Sequence, residues 1–318
     1  MVNLENNPDR AIQGGDLRGM GNEMPYSGAL SLFRRNYSKN LDGADIAVSG
    51  VTYDLATANR PGTRFGPRGI REASTNLAWE GAPWPWGFDP FKTLAVVDCG
   101  DCAFDSGYPD QVPAAIEKHA DDILATGTAM VTMGGDHFVT YPLLKAHHKI
   151  HGPMSLVHFD AHCDTWREDH ERIDHGTMFY HAARHGLIDP AKSVQIGLRT
   201  LNTETHGFNI LDADWVHENG PKAVAKRVCE IVGDNKAYLT FDIDCLDPAF
   251  APGTGRRSAA ASAPGRPRRL SAGSRPSILS AWTWSRWRRP TMWAMSRLSP
   301  PRRCCSTFSA SWRHAGHE

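Results

Sequence analysis

Apolar runs of strand length alternate with helical segments through the middle of the chain. The runs end in Gly, Asp or His, and segments such as 112–125 carry apolar residues at helical spacing. This alternation is typical of a parallel sheet covered by helices on both faces. We therefore expect an α/β fold with its functional groups at the carboxyl ends of the strands. The predicted strands are 44–51, 93–98, 128–133, 154–159, 193–198 and 237–243, and the predicted helices are 29–35, 112–125, 141–150 and 222–232.

Length and composition indicate a cytoplasmic globular protein. The 318 residues suit one large α/β domain or two smaller ones. No run approaches the roughly 20 apolar residues that cross a bilayer, and the polar start MVNLENNPDR is unlike a secretory signal. The seven Cys lack the regular spacing of a disulfide framework or a zinc site. We therefore expect a reducing compartment and no membrane partner.

The composition changes abruptly near residue 256. Residues 256–318 contain 13 Arg, no Lys and a single acid, Glu318, although the whole chain has 35 basic and 35 acidic side chains. A globular enzyme rarely changes composition so sharply. We therefore predict an N-terminal arm at 1–43, a catalytic domain at 44–255 that lacks its C-terminal part, and an aberrant tail at 256–318.

Acidic and imidazole side chains follow three of the predicted strands. The segments are MGGDH at 133–137, HFDAHCD at 158–164 and FDIDCLDP at 241–248. Because the carboxyl ends of parallel strands meet at one end of a sheet, these side chains should converge. The sequence therefore predicts a single site built from three separate segments.

The spacing within these segments is typical of metal ligands. Alternate residues of an extended chain point the same way, so Asp160, His162 and Asp164 can aim at one point. A set of four carboxylates and two imidazoles suits Mn²⁺ better than Zn²⁺, which prefers thiolates and imidazoles. Six donors exceed one tetrahedral site, so we predict two ions that share a water and lower its pKa. The predicted ligands are His137, Asp160, His162, Asp164, Asp242 and Asp244.

Each segment alone has a simpler structural explanation. A Gly-Gly-Asp-His segment often forms a turn after a strand, and a lone Asp-x-Asp often caps a helix or lies in a loop. The presence of all three at strand ends favours the metal site. Cys163 and Cys245 fall between ligands on the opposite strand face, so we predict that they pack in the core. His158 is predicted to be buried or to support a ligand.

Taken in order, GGDH, DAHxD and DIDxxDPxxAPGTG resemble the signature of the arginase/agmatinase ureohydrolase family, and the resemblance runs from about residue 21 to residue 255. STNLAWE at 74–80 and DHGTMFY at 174–180 are similar to agmatinases rather than arginases, whereas PGTRFGP at 61–67 is shared with guanidinobutyrases. The family implies an arginase-like three-layer α/β/α sandwich with a central, mainly parallel sheet.

The resemblance also implies two Mn²⁺ ions per subunit and a bridging hydroxide that attacks the guanidinium carbon. One ion would be held by His137, Asp160, Asp164 and Asp242, and the other by Asp160, His162, Asp242 and Asp244. His175 matches the family's proton-shuttle histidine, and an imidazole pKa suits proton transfer to the leaving amine. The simpler interpretation of His175 is a surface loop histidine. Asp247 is expected to orient the ligands.

The implied activity is the hydrolysis of agmatine to putrescine and urea, a step of polyamine and spermidine biosynthesis. One alternative is a guanidinobutyrase, whose substrate ends in a carboxylate, and an arginase is expected less. An alternative of another class is a protein that binds metal but is catalytically inactive because of its tail. The family implies a homo-oligomer, a trimer or a hexamer.

The resemblance stops after APGTG at 251–255. The family continues with a Thr-Pro-x-x-Gly-Gly-Leu turn, a helix, and a strand carrying Val-Val-Glu-Val-x-Pro, whose glutamate binds the guanidinium. The chain instead reads RRSAAAS at 256–262, and we expect neither that strand nor that glutamate, which would leave a sheet edge open. The Arg and Trp content could indicate a nucleic-acid-binding arm, and a disordered extension is a further alternative; we expect no nucleic-acid partner.

A one-base shift of the reading frame explains the tail better. One permissible codon string for WTWSRWRRPTMWAMS at 282–296, preceded by one added A, translates as MDVVEVAPAYDVGDV. The same shift makes 256–262 compatible with Thr-Pro-Val-Cys-Gly-Gly-Leu. The synonymous codons are chosen, so this is a test of consistency, but one shift recovers both missing motifs. We therefore predict that the tail is the family's C-terminal region in the wrong frame.

Overall fold

The computed structural model describes residues 28–78, 88–168, 170–200, 202–248, 250–251 and 253, together with the backbone of 292–296. The predicted arm lies outside the described residues as far as residue 27, and the predicted tail lies outside them except for 292–296. STNLAWE is described only as far as residue 78.

Within these residues, nine strands form one sheet in which every neighbouring pair is parallel except the two pairs made by the last strand. The strands are β1 (Asn36–Tyr37), β2 (Ile46–Val51), β3 (Val96–Asp101), β4 (Ala129–Gly134), β5 (Ser155–Phe159), β6 (Val194–Ile196), β7 (Asn209–Leu211), β8 (Ala237–Asp242) and β9 (Met292–Ser296). Their order across the sheet is β1-β3-β2-β4-β9-β8-β5-β6-β7. The carboxyl ends of β4, β5 and β8 therefore lie at the same end of the sheet.

Helices cover both faces of the sheet. They are α1 (Gly66–Leu77), α2 (Val112–Leu124), α3 (Thr140–His151), α4 (Met178–Arg184) and α5 (Ala213–Val232). Successive strand residues point to opposite faces, so Leu156 packs in the cluster formed by α2, α3 and α4, whereas Val157 packs with α5. Ile70 of α1 packs against Val48, on the α5 side. The three-layer α/β/α sandwich is confirmed.

No helix among the described residues has both the length and the apolar character that a membrane span requires.

The predicted helix at 29–35 is wrong. Only a three-residue 3₁₀ turn, Leu32–Arg34, forms there, and Phe33 and Arg34 have φ angles of 49° and 53°. The backbone amide of Leu32 donates to Asp98 Oδ2 at 2.8 Å, and that of Phe33 donates to Ser74 Oγ at 2.7 Å. Contacts distant in sequence therefore use the amides that a helix would need. Shortly after this turn, β1 pairs with β3 at the sheet edge.

Helix α5 begins nine residues earlier than predicted, at Ala213 instead of residue 222. Asp212 caps its first turn by accepting the Trp215 amide at 2.8 Å. Gly220, with a φ of 71°, and Pro221 interrupt the helix in the middle. These two residues end the apolar periodicity locally, which explains why only the second half was predicted. The short strands β1 and β7 and helices α1 and α4 were also not predicted.

The prediction that the tail supplies no strand is wrong. Strand β9 lies between β4 and β8 and is antiparallel to both, with Trp293 opposite Met133 and Ala294 opposite Thr240. Its sequence, MWAMS, is uncharged and lacks Pro, so nothing prevents its backbone from pairing with the two facing strand edges. The sheet is therefore not left open at this position. The family's glutamate remains absent, since Glu318 is the only acid after residue 255.

Candidate metal centre

The chain turns sharply after β4 at a glycine that has no room for a side chain. The amide of Gly135 donates to the Val51 carbonyl at 2.9 Å, and that of Asp136 donates to the Tyr53 carbonyl at 2.8 Å. A Cβ atom on Gly135 would lie 2.0 Å from the Tyr53 carbonyl oxygen. This close approach of two backbone segments fixes the turn that places His137 at the carboxyl ends of the strands.

His137 lies at the centre of a group of carboxylates. Its Nδ1 is 2.8 Å from Asp164 Oδ2, 3.0 Å from Asp160 Oδ2 and 3.6 Å from Asp242 Oδ2. The other ring nitrogen, Nε2, lies 2.9 Å from the Thr240 hydroxyl. Thr240 therefore fixes the ring orientation, and Nδ1 faces three buried or half-buried carboxylates that come from two other strands.

His162 forms a second group beside the first. Its Nδ1 is 3.0 Å from Asp244 Oδ2 and 3.4 Å from Asp160 Oδ1. The two oxygens of Asp160 thus face different histidines, Oδ2 toward His137 and Oδ1 toward His162. This is the geometry of a carboxylate that bridges two positions. Asp242 faces His137 with Oδ2, and its Oδ1 accepts the Asp244 amide at 3.0 Å.

The charges in this small volume are balanced poorly by protein groups alone. Burial, with the neighbouring Asp244 and Asp160, raises the pKa of Asp242 well above its ordinary value. Burial and Asp160 also raise the pKa of Asp164 to about 7 and that of Asp244 to about 6. Although burial opposes it, hydrogen bonds with Asp160 and Asp164 raise the pKa of His137 well above its ordinary value.

Divalent cations would relieve this imbalance, because they favour ionised carboxylates and a deprotonated imidazole. The buried Nδ1 of His137 also has no hydrogen bond of good geometry, despite its short distances to carboxylates. An atom that is surrounded by acceptors but poorly bonded to them suits a shared cation. The donor set therefore fits a metal centre, and the side chains form two adjoining groups of potential ligands.

Asp164 has a strained backbone, with a φ of 51°. A non-glycine residue in the left-handed region costs about 1–3 kcal/mol and persists only where neighbouring structure holds it. Its carbonyl accepts the Phe179 amide of α4 at 3.0 Å. Helix α4 therefore helps to hold this carboxylate against His137.

His158 supports Asp160 from within the core, as predicted. Its Nε2 is 2.8 Å from Asp160 Oδ2, and its Nδ1 is 3.0 Å from Gln195 Nε2. Because the amide nitrogen of Gln195 can only donate, Nδ1 accepts and the proton lies on Nε2, facing Asp160. Gln195 is itself held by the Cys163 carbonyl at 2.5 Å. His158 is therefore a donor to Asp160, and burial lowers its pKa.

Arg199 holds the segment that follows β8. Its guanidinium donates to the carbonyls of Cys245 at 2.8 Å and Leu246 at 3.2 Å, and also to that of Asp244. Three consecutive carbonyls are bound by one planar, permanently charged group. Arg199 therefore fixes the backbone on which Asp244 is mounted.

His175 lies in the loop before α4, close enough to the centre for His137, His162 and Asp160 to influence its pKa. Its Nε2 accepts the Ala58 amide at 3.0 Å, so a neutral ring carries its proton on Nδ1. Burial lowers the pKa of His175, which favours that neutral form. The side chain is half-buried, so it is open on one side.

The structure brings all six predicted ligands together, but three supporting residues were not predicted. Thr240 precedes Asp242 by two residues on one strand, so period-two spacing could have revealed it. Gln195 is a polar residue between two apolar ones in β6, which is a usable signal. Arg199 shows no local signal. Cys163 is buried and Cys245 packs against an apolar cluster, which confirms both as packing residues.

Comparisons with known proteins agree on one family. Residues 44–260 match the arginase family. The chain is 55% identical over 249 residues to the agmatinase of Chromobacterium violaceum, which covers 78% of this chain and 77% of that protein. It is 48% identical over 258 residues to the agmatinase of Edwardsiella ictaluri, with 80% of each chain covered.

Two solved structures have the same fold. A hypothetical agmatinase from Burkholderia thailandensis superimposes with a TM-score of 0.77 at 56% identity, covering 79% of this chain and 80% of that chain. The proclavaminate amidino hydrolase of Streptomyces clavuligerus has a TM-score of 0.69 at 35% identity, covering 74% of this chain and 80% of that chain. With the family match over most of its length, this chain belongs to the arginase family.

Proposed function

We propose that this chain hydrolyses agmatine to putrescine and urea, a step of polyamine biosynthesis. The similarity to bacterial agmatinases supports the substrate. The observation that carries the chemistry is the carboxylate of Asp160, whose two oxygens face His137 and His162. A buried centre with two adjoining donor groups is suited to hydrolysis of an unreactive guanidinium carbon.

We propose that the centre holds two Mn²⁺ ions in each subunit. His137, Asp164 and Asp160 Oδ2 would hold one ion, and His162, Asp244 and Asp160 Oδ1 the other. Asp242 would complete both sets as a second bridging carboxylate. Oxygen-rich donor sets favour Mn²⁺ over Zn²⁺. When bound, two divalent cations supply Lewis acidity and lower the pKa of a shared water.

The residues around the ions would orient the reacting groups. Thr240 fixes the ring of His137, His158 donates to Asp160, and Arg199 holds the backbone of Asp244. His175 would pass a proton to the leaving amine. Its neutral ring has a lone pair on Nε2, where it now accepts the Ala58 amide, so taking up a proton there would release that hydrogen bond.

Urea release from three substrates tests the proposal. Metal-stripped protein is supplied with Mn²⁺ and assayed with agmatine, 4-guanidinobutyrate and arginine. We expect the highest kcat/KM for agmatine. A preference for 4-guanidinobutyrate would identify a guanidinobutyrase instead, and metal binding without urea from any substrate would identify a catalytically inactive protein.

We further propose that residues 256–318 are the family's C-terminal region read in the wrong frame. The family match ends at residue 260. Strand β9 runs against all eight other described strands, although a crossover connection from β8 would deliver a parallel strand to this position. Resequencing the DNA across the codons for residues 255 and 256 tests the frame directly.

Light scattering of the frame-corrected protein would test the further proposal of a homotrimer or homohexamer, which rests on the family resemblance.

A further inference from the structure

A second group of ligand-type side chains lies outside the metal centre described above. It consists of Glu171, in the loop before α4, His181 within α4 and His185 at its end. The two histidines are four residues apart, so their rings share one face of the helix, with centroids 5.8 Å apart. One donor atom of each residue lies within 4.8 Å of the other two.

His181 is the most unusual member of this group. It is fully buried, with 0% of its surface exposed, and neither ring nitrogen has a hydrogen bond of good geometry. The backbone of Arg172 lies close enough to influence the ring, yet it does not satisfy either nitrogen. A buried polar atom without a partner costs about 1–3 kcal/mol. Such atoms are rare in folded proteins, so the ring is positioned for a partner that is not a protein group.

His185 is arranged as a supported ligand. Its Nδ1 lies 2.6 Å from the Tyr141 hydroxyl, and its Nε2 lies 3.6 Å from Glu171 Oε2. If Nδ1–H donates to the hydroxyl, the lone pair of Nε2 faces the carboxylate. A metal-binding histidine commonly has its other ring nitrogen held by such a partner.

We propose that Glu171, His181 and His185 bind a Zn²⁺ ion, with a water molecule as the fourth ligand. Two imidazoles and one carboxylate form a donor set that zinc uses with an open fourth position. This set is poorer in oxygen than the centre around Asp160, so the two sites should prefer different metals. The carboxylate balances half of the charge of the ion.

The donors must move closer to bind the ion, since zinc–ligand bonds are about 2.0–2.2 Å long. Glu171 can make this movement, because 73% of its side chain is exposed. Arg184 lies 3.7 Å from Glu171 Oε1 and competes for the carboxylate, so it would have to withdraw. The bound ion would fasten the loop that also carries His175 to helix α4.

Zinc binding to the full chain tests this proposal without reference to activity. Protein loaded with Mn²⁺ is titrated with Zn²⁺ by calorimetry, and retained manganese and bound zinc are then counted by mass spectrometry. We expect about one Zn²⁺ per chain to bind without loss of manganese. Glu171→Gln should weaken this binding by more than about tenfold, and Tyr141→Phe by about 10–100-fold, as for an outer partner of a metal ligand.

Matched variants separate the proposed site from adventitious binding. Glu171 is exposed, so Glu171→Gln should fold even if a His181 variant does not. His217→Gln, which removes an exposed histidine of α5, should leave zinc binding unchanged. Zinc that binds only by displacing manganese, or that binds equally to the wild type and to Glu171→Gln and His185→Gln, would overturn the proposal. Because the measurement is bound zinc, its failure would not affect the proposed hydrolysis of agmatine.

Discussion

At the scale of single residues, the metal centre depends on which atom faces which. Asp160 and His137 illustrate this. Asp160 presents one oxygen to each of two histidines, whereas Nδ1 of His137 faces a single group of carboxylates. Removing one donor should therefore have different consequences at the two positions, although both residues are buried and both come from strand ends.

Asp160→Asn should weaken both manganese ions, because a bridging carboxylate serves each of them. His137→Asn should chiefly loosen one ion. Manganese bound per chain, measured across a titration of frame-corrected protein, checks both expectations. Asp121→Asn, on the partly exposed face of α2, is the control and should bind manganese like the wild type. A single ion in fully loaded wild-type protein would contradict the two-ion assignment.

His175→Ala should retain both ions and lower kcat by about 10²–10⁴-fold, the range expected for a general acid–base group. The reason is that His175 bonds to the Ala58 amide and lies beside the centre without joining the two ligand groups. Steady-state kinetics and a manganese count on the same sample check this, with His217→Ala as control. If the variant loses metal, His175 is a ligand and not a proton carrier.

At the scale of elements, the site depends on how tightly the strand ends pack. The turn after β4 passes against the end of β2, and the segment after β8 is held by Arg199 from the end of β6. Helix α4 holds the carbonyl of Asp164 in its strained conformation. Four elements that carry no metal ligand at these contacts therefore position the ligands.

Gly135→Ala should disturb the centre through the backbone alone. The new Cβ would lie 2.0 Å from the Tyr53 carbonyl oxygen, so the turn must shift and carry His137 with it. We expect a loss of stability of at least about 1–3 kcal/mol, the usual range for overpacking, and weaker manganese binding. Chemical denaturation and metal titration measure the two effects. Gly107→Ala is the control, since its Cβ would meet only the exposed Asp105 side chain at 3.1 Å. Equal stability of the two variants would show that the turn tolerates a side chain.

At the scale of the whole molecule, the tail decides whether a complete site forms. The written chain retains all six proposed ligands but has no acid between residues 256 and 317 to bind a guanidinium. Strand β9 closes the gap between β4 and β8 with backbone hydrogen bonds, so the sheet can be complete while the substrate site is not.

The written chain should therefore be nearly inactive, and the one-base correction should restore activity. Loss of a charge-assisted contact to the guanidinium costs about 1.5–3 kcal/mol, and a misplaced substrate loses further rate through poor orientation. Both forms are expressed side by side and assayed for urea from agmatine with Mn²⁺. Equal activity and solubility of the two forms would remove the functional importance of the frame. A fresh DNA read that confirms the written frame would make the tail a genuine feature.

Local sequence patterns determined most of the sheet, the strand ends and the six proposed ligands, because strand periodicity and ligand spacing act over a few residues. Only the tertiary structure decided the contacts between segments. The pairing of His137 with Thr240 joins residues 103 apart, and that of Gln195 with His158 joins residues 37 apart. The direction of β9, the left-handed turn at Phe33 and the grouping of Glu171 with His181 and His185 have the same origin. Each depends on which backbone and side-chain groups remain unpaired after the layers pack, and no local pattern records that.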